Sequence, residues 1–147
     1  MKLSDHFTLE EFTYSEVAAR LDLVNVPGPA ELTNLRLTAA LMEQVRTLLG
    51  HPVVVHSGYR APRVNQAVGG VPTSKHCQGL ACDFVCPEFG SIAQVAIAIE
   101  KSEIKYDQLI LEYGWVHLGL ADAATAWRRQ SLTKRSARAP YESGIKV

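Results

Sequence analysis

"SKHCQGLACDF", residues Ser74 to Phe84, gathers one histidine, two of the chain's three cysteines and one aspartate into a single short stretch. Its second half alternates in the manner of a β-strand. Successive side chains on a strand point to opposite faces. With Gly79–Val85 extended, Ala81, Asp83 and Val85 share one face, and Cys82, Phe84 and Cys86 share the other. Asp83 and the cysteines therefore cannot ligate one ion. The chain has no CxxC pair, which structural zinc sites usually use. Cys82 and Cys86 read as small core hydrophobes beside Phe84, and Cys77 as a bystander. His76 and Asp83 remain, and His117 in "WVHLG" is the histidine best able to join them. Two histidines and a carboxylate are a common set for a catalytic zinc with an open fourth position. With five histidines in the chain, that set alone is weak evidence.

Outward from this stretch, helices come first and strands later. "FTLEEF" starts a helix: Thr8 caps it, Glu11 completes a capping box, and the pattern predicts helix to about Arg20. "NVPGP" at 25–29 breaks it. Leu32, Leu35, Ala39, Met42, Val45 and Leu49 form a helical stripe closed by Gly50. "PVVVHSG" at 52–58 reads as a strand, and the segment from Tyr59 to His76 as loop with one turn of helix. Ile92–Lys101 reads as a short helix. "DQLILEYGWVHLGL" reads as two strands about a turn at Tyr113-Gly114, and "WRRQSLTKR" as a last strand. Hairpins without regular βαβ units predict an α+β fold with a largely antiparallel sheet.

The 147 residues make about one domain, expected over 1–134, with a basic C-terminal tail over 135–147. Fifteen basic residues balance fifteen acidic ones, which argues against a surface tuned to nucleic acid. The imbalance is local: Arg128–Arg138 holds five basic residues and no acidic one. A solvated, partly mobile stretch is the plain reading, and attraction to an anionic polymer such as a bacterial wall is the alternative. Three cysteines make no disulfide framework. "MKLSDHFTLEEF" lacks the apolar run of a signal peptide or membrane anchor, so the expectation is synthesis in the cytoplasm and no membrane insertion.

"SGYR" at 57–60, "SKHCQGLACD" at 74–83 and "WVH" at 115–117 together resemble the M15 zinc peptidases of peptidoglycan. This group comprises D-Ala-D-Ala carboxypeptidases and L-alanyl-D-glutamate endopeptidases and is related in fold to hedgehog domains. Its central pattern is S-x-H-x-x-G-x-A-x-D, which Ser74, His76, Gly79, Ala81 and Asp83 fit. The opening "DHFTLEEFTYSEVAAR" resembles that of phage and prophage members. The resemblance spans about residues 3–133. It implies a hedgehog-like sheet flanked by N-terminal helices and one zinc held by His76, Asp83 and His117. It also implies an Arg60 that grips the substrate's carbonyl or carboxylate, and a Ser74 near the substrate. An arginine fork suits a developing oxyanion or a carboxylate.

Many members of the group carry an acid three residues before the last histidine, where this chain has Gly114. The nearest acid is Glu112. If Tyr113-Gly114 form the two turn residues of a hairpin, Glu112 and Trp115 pair across the strands. Glu112 and His117 then become diagonal neighbours about 7–8 Å apart. That spacing suits a base acting on a water at the metal. Asp107 is the alternative base. His56 is a candidate partner to a ligand, His51 and His6 read as surface, and Tyr59 and Asn65 line the loop carrying Arg60 and are candidates to touch substrate. Tyr113 and Trp115 are candidates to flank the cleft.

The resulting expectation is a monomeric zinc peptidase cutting a stem peptide of peptidoglycan. It is read as a phage-type endolysin, an endopeptidase, that reaches the wall after release by a separate permeabilising protein. A D-Ala-D-Ala carboxypeptidase, and a non-catalytic zinc-containing wall-binding or virion module, are the alternatives.

Overall fold

The computed structural model describes residues 1–122 and 126–147. These form two compact units: Met1–Glu43 with Ser57–Cys82, and Gln44–His56 with Asp83–Val147.

The first unit opens with α1 (Leu9–Thr13) and α2 (Glu16–Arg20). Thr8 and Glu11 make the expected capping box, with both side chain to backbone bonds present. The expected continuous helix to Arg20 is instead two helices. Tyr14 is extended, and the Ser15 hydroxyl accepts from Ala18 N–H to start α2 afresh. A serine two turns after a capped start thus competes with helix continuation. The Phe7 and Phe12 rings meet edge to face at 5.7 Å, and both are fully buried.

Helix α3 spans Pro29–Leu49 and buries Leu35, Ala39, Met42, Val45 and Leu49, five of the six stripe positions. Gly50 ends it with φ +68° and an N–H bonded to Arg46 O. The loop expected from Tyr59 to His76 contains α4 (Pro62–Ala67), whose proline sits at the helix start where no N–H is needed. A short 3₁₀ helix follows over Lys75–Gln78.

The sheet has six strands among the described residues: β1 (Val54–Ser57), β2 (Ala81–Val85), β3 (Gln108–Leu111), β4 (Val116–Gly119), β5 (Gln130–Thr133) and β6 (Glu142–Ser143). They are ordered β1-β2-β4-β3-β5-β6. In the second unit β3 and β4 form the expected hairpin, with Leu111 opposite Val116. Glu112 N–H bonds Trp115 O, so Tyr113 and Gly114 are the two turn residues. The last strand differs from a hairpin partner: β5 runs parallel to β3 on its other edge, and β6 returns antiparallel. The sheet is therefore mixed, within the α+β class expected.

Helix α5 (Ile92–Lys101) is capped by Ser91 and Gln94 and buries Val95, Ala96 and Ile99. Tyr106 is wholly buried, its hydroxyl meets Ser131 Oγ at 2.9 Å, and the Arg129 guanidinium covers its ring. No helix among the described residues is long and apolar enough to cross a membrane.

Candidate active site

His76 sits in the 3₁₀ helix that precedes β2 and is 2% exposed. Three local devices hold it. The Ser74 hydroxyl accepts from the His76 N–H at 3.2 Å, capping the turn. The His76 carbonyl accepts from Arg60 N–H. The His76 ring Nδ1 lies 2.6 Å from Gly58 O, so Nδ1 carries the proton and Nε2 is the unprotonated nitrogen.

The glycines of this region serve close approach. A Cβ on Gly58 would stand 2.6 Å from the Phe12 carbonyl oxygen. Tyr59 N–H donates to that same oxygen. Gly79 closes the 3₁₀ turn at φ +76°, and a Cβ there would meet Glu31 O at 2.7 Å. Thr38 Oγ1 donates to Gly79 O and Asn34 Nδ2 to Gln78 O, fastening the turn to α3.

Strand β2 sorts its side chains by alternation. Cys82, Phe84 and Cys86 are all buried free of disulfides, and Cys86 Sγ–H points at Pro52 O. Asp83, on the opposite face, is 7% exposed. Its Oδ1 lies 2.8 Å from His117 Nδ1 on β4. A Cβ on Gly119 would sit 3.5 Å from His117 Nε2, so that nitrogen faces the strand end while Nδ1 faces Asp83.

His76, Asp83 and His117 each offer one ligand atom, and these atoms all lie within 4.8 Å of one another. A neutral imidazole with its tautomer fixed by a carbonyl, a second imidazole and a carboxylate fit a divalent metal. Three protein ligands leave room for one more.

Glu112 lies at the end of β3, half-buried, with Oε2 accepting from Trp115 Nε1 at 3.0 Å. Burial pushes its carboxyl above the usual glutamate range. His117 pulls it down, Asp83 raises it, and Trp115 and Lys134 lower it, with burial prevailing. Asp107, the alternative base, is 1% exposed and gripped by Arg128 through Nε at 2.8 Å and Nη2 at 2.9 Å. That bidentate pair is a strand-end clasp.

Arg60 is fixed at its Nε by Asn65 Oδ1 at 3.2 Å, and its Nη1 lies 3.4 Å from Ser57 Oγ. Asn65 is 2% exposed and donates from Nδ2 to Val71 O. Gly70 is required beside it, since a Cβ would fall 2.1 Å from Asn65 Oδ1. Tyr59 is buried in packing, while His56 and His51 are exposed. His6 is exposed and pairs with Glu43 at 2.7 Å. Tyr113 is exposed and meets the Trp115 ring edge-on at 4.6 Å. The sequence reading missed Asn65 as the residue that orients Arg60. The signal was an amide five residues after the arginine, with "GG" following.

Asp83 and His117 on the sheet, His76 on the 3₁₀ turn before it and Glu112 beyond β3 supply a metal-ligand set and a carboxyl suited to acid–base chemistry. A family model described as Peptidase M15 matches residues 5–119. The chain belongs to the M15 peptidase family. A search of the curated proteins returns no match.

Proposed function

We propose that the protein is a zinc peptidase that hydrolyses an amide bond in peptidoglycan stem peptides. The observation that carries this is the grouping of His76, Asp83 and His117, with the half-buried Glu112 carboxyl at the hairpin end held by Trp115 Nε1. When bound, zinc would supply an acidified water and a Lewis acid for the scissile carbonyl.

The chain's own residues do the rest. Glu112 takes the proton from the attacking water and delivers it to the leaving amine, so water is added across the C–N bond. Trp115 Nε1 holds one carboxylate oxygen and leaves the other for the proton. Arg60, oriented by Asn65, binds the substrate's carbonyl or carboxylate. Ser74 orients the turn bearing His76.

The phage-type endolysin reading, with endopeptidase cleavage of cross-linked stems, rests on the likeness of the opening segment to phage members. It places the protein at the cell wall after release, acting as a monomer. Mass spectrometry of muropeptides from purified peptidoglycan tests the reading. Zinc-loaded protein should release new amino and carboxyl termini within the stem. Loss of terminal D-Ala alone would make it a carboxypeptidase. Binding without cleavage would make it a wall-binding module.

A further inference from the structure

The family match ends at Gly119, yet the chain continues into β5 and β6. The register of the sheet shows what those strands carry. On β4–β3, Glu112 stands opposite Trp115. On β3–β5, Leu111 faces Thr133 and Lys134 N–H bonds Leu111 O, so Lys134 is the neighbour of Glu112. On β5–β6, Thr133 faces Glu142, so the next step outward sets Lys134 against Tyr141. The Lys134 ammonium indeed lies 4.4 Å from the centre of the Tyr141 ring. Directly paired residues share a face. Trp115, Glu112, Lys134 and Tyr141 thus form one row across four strands, on the face that also bears His117.

The row is built to hold Tyr141 in place. Lys134 Nζ donates to Ala139 O at 2.7 Å, closing the β5–β6 connection and fixing the cation beneath the ring. Thr133 Oγ1 donates to Gly144 O, and Arg135 pairs with Glu142 at 2.8 Å. Tyr141 itself is 55% exposed. A cation on a phenol ring draws electron density from it and makes the hydroxyl a better donor.

We propose that Tyr141, with Lys134 beneath it, is a substrate subsite that receives a carboxylate of the peptide next to the scissile bond. It is a specificity element supplied by the segment beyond the family match, and it rests on the peptidase reading above. A phenol donor backed by an ammonium suits an anionic acceptor. Partial burial keeps the phenol protonated, and the nearby Glu112, Tyr113 and Asp83 act in the same direction.

The test compares two synthetic stem peptides, one with a free side carboxylate beside the scissile bond and one with that carboxylate amidated. Zinc-loaded wild type, Tyr141→Phe and Lys134→Met are measured with each, with metal content and melting temperature as controls. Tyr141→Phe keeps the ring and its stacking but loses the donor. It should raise KM for the acid peptide by about tenfold, with kcat little changed, and leave the amidated peptide unaffected. Lys134→Met should also raise KM selectively for the acid peptide. Because Lys134 lowers the pKa of the Glu112 carboxyl, it should also shift the pH dependence of kcat on both peptides alike. Equal KM values for wild type and Tyr141→Phe on the acid peptide would overturn the subsite while the peptidase reading stands. Failure of wild type to cleave either peptide would overturn that reading and the subsite with it.

Discussion

The turn carrying His76 and the hairpin end carrying Glu112 are held in opposite ways. Around His76 backbone groups set the geometry: Gly58 O on the ring, Arg60 N–H on the carbonyl, and Gly79 seated where only a glycine fits, with the Ser74 hydroxyl on the His76 N–H. Around Glu112 the contacts are side chains at a strand end, Trp115 Nε1 on the carboxylate with exposed Tyr113 beside it. A ligand must be preorganised, because a metal tolerates little error in distance. A base must also move a proton, and a half-buried carboxyl with a raised pKa is suited to that. On the proposed roles, the ligand side is rigid and the acid–base side adjustable.

Breaking the metal side should have the largest effect. His76→Ala, Asp83→Asn or His117→Ala should each abolish stoichiometric zinc binding and with it activity, read by metal analysis and amino-group release. On the hairpin side, Glu112→Gln should keep the metal and lower kcat by about 10²–10⁴-fold. If Glu112→Gln lost the metal as well, the division of labour between the two regions would be wrong.

Gly79→Ala sharpens the rigid side. It forces a Cβ into φ +76° and against Glu31 O, and should cost about 2 kcal/mol or more in denaturant unfolding. A fully tolerated alanine would remove the argument for preorganisation.

The smallest effect is a pH dependence away from the site. Burial raises the pKa of Glu43, but the Ser4 hydroxyl, the His6 ring and the His6 N–H outweigh it, and the net shift is downward. A depressed carboxylate stabilises the fold above its unfolded pKa, and that stability is lost as pH falls through the folded value. The melting temperature of Glu43→Gln should therefore lie below that of wild type at neutral pH. The gap should shrink as pH drops below about 4.3.

Much of this was legible in the amino acids. The α3 stripe and the β2 alternation followed from side-chain period alone, and the alternation separated Asp83 from the cysteines. The Tyr113-Gly114 turn followed from spacing, and it places Glu112 opposite Trp115. Other features depended on competition between local and distant contacts. The break after Thr13 came from a second cap at Ser15. The parallel pairing of β5 with β3 is non-local and leaves no periodic mark. Strand β6 is two residues long, too short for any alternation, so the 135–147 segment read as tail contributes β6 to the sheet. Lys134 beside Glu112 was hidden for the same reason.

The central claim is that the His76, Asp83 and His117 grouping is a metal-dependent catalytic centre. Stripping the purified protein with a chelator and titrating zinc back tests it most directly, following amino-group release from peptidoglycan against metal bound per chain. Activity should vanish on stripping and return in full at one zinc per chain. Hydrolysis that survives complete metal removal, or that stays absent with one zinc bound, would contradict the account.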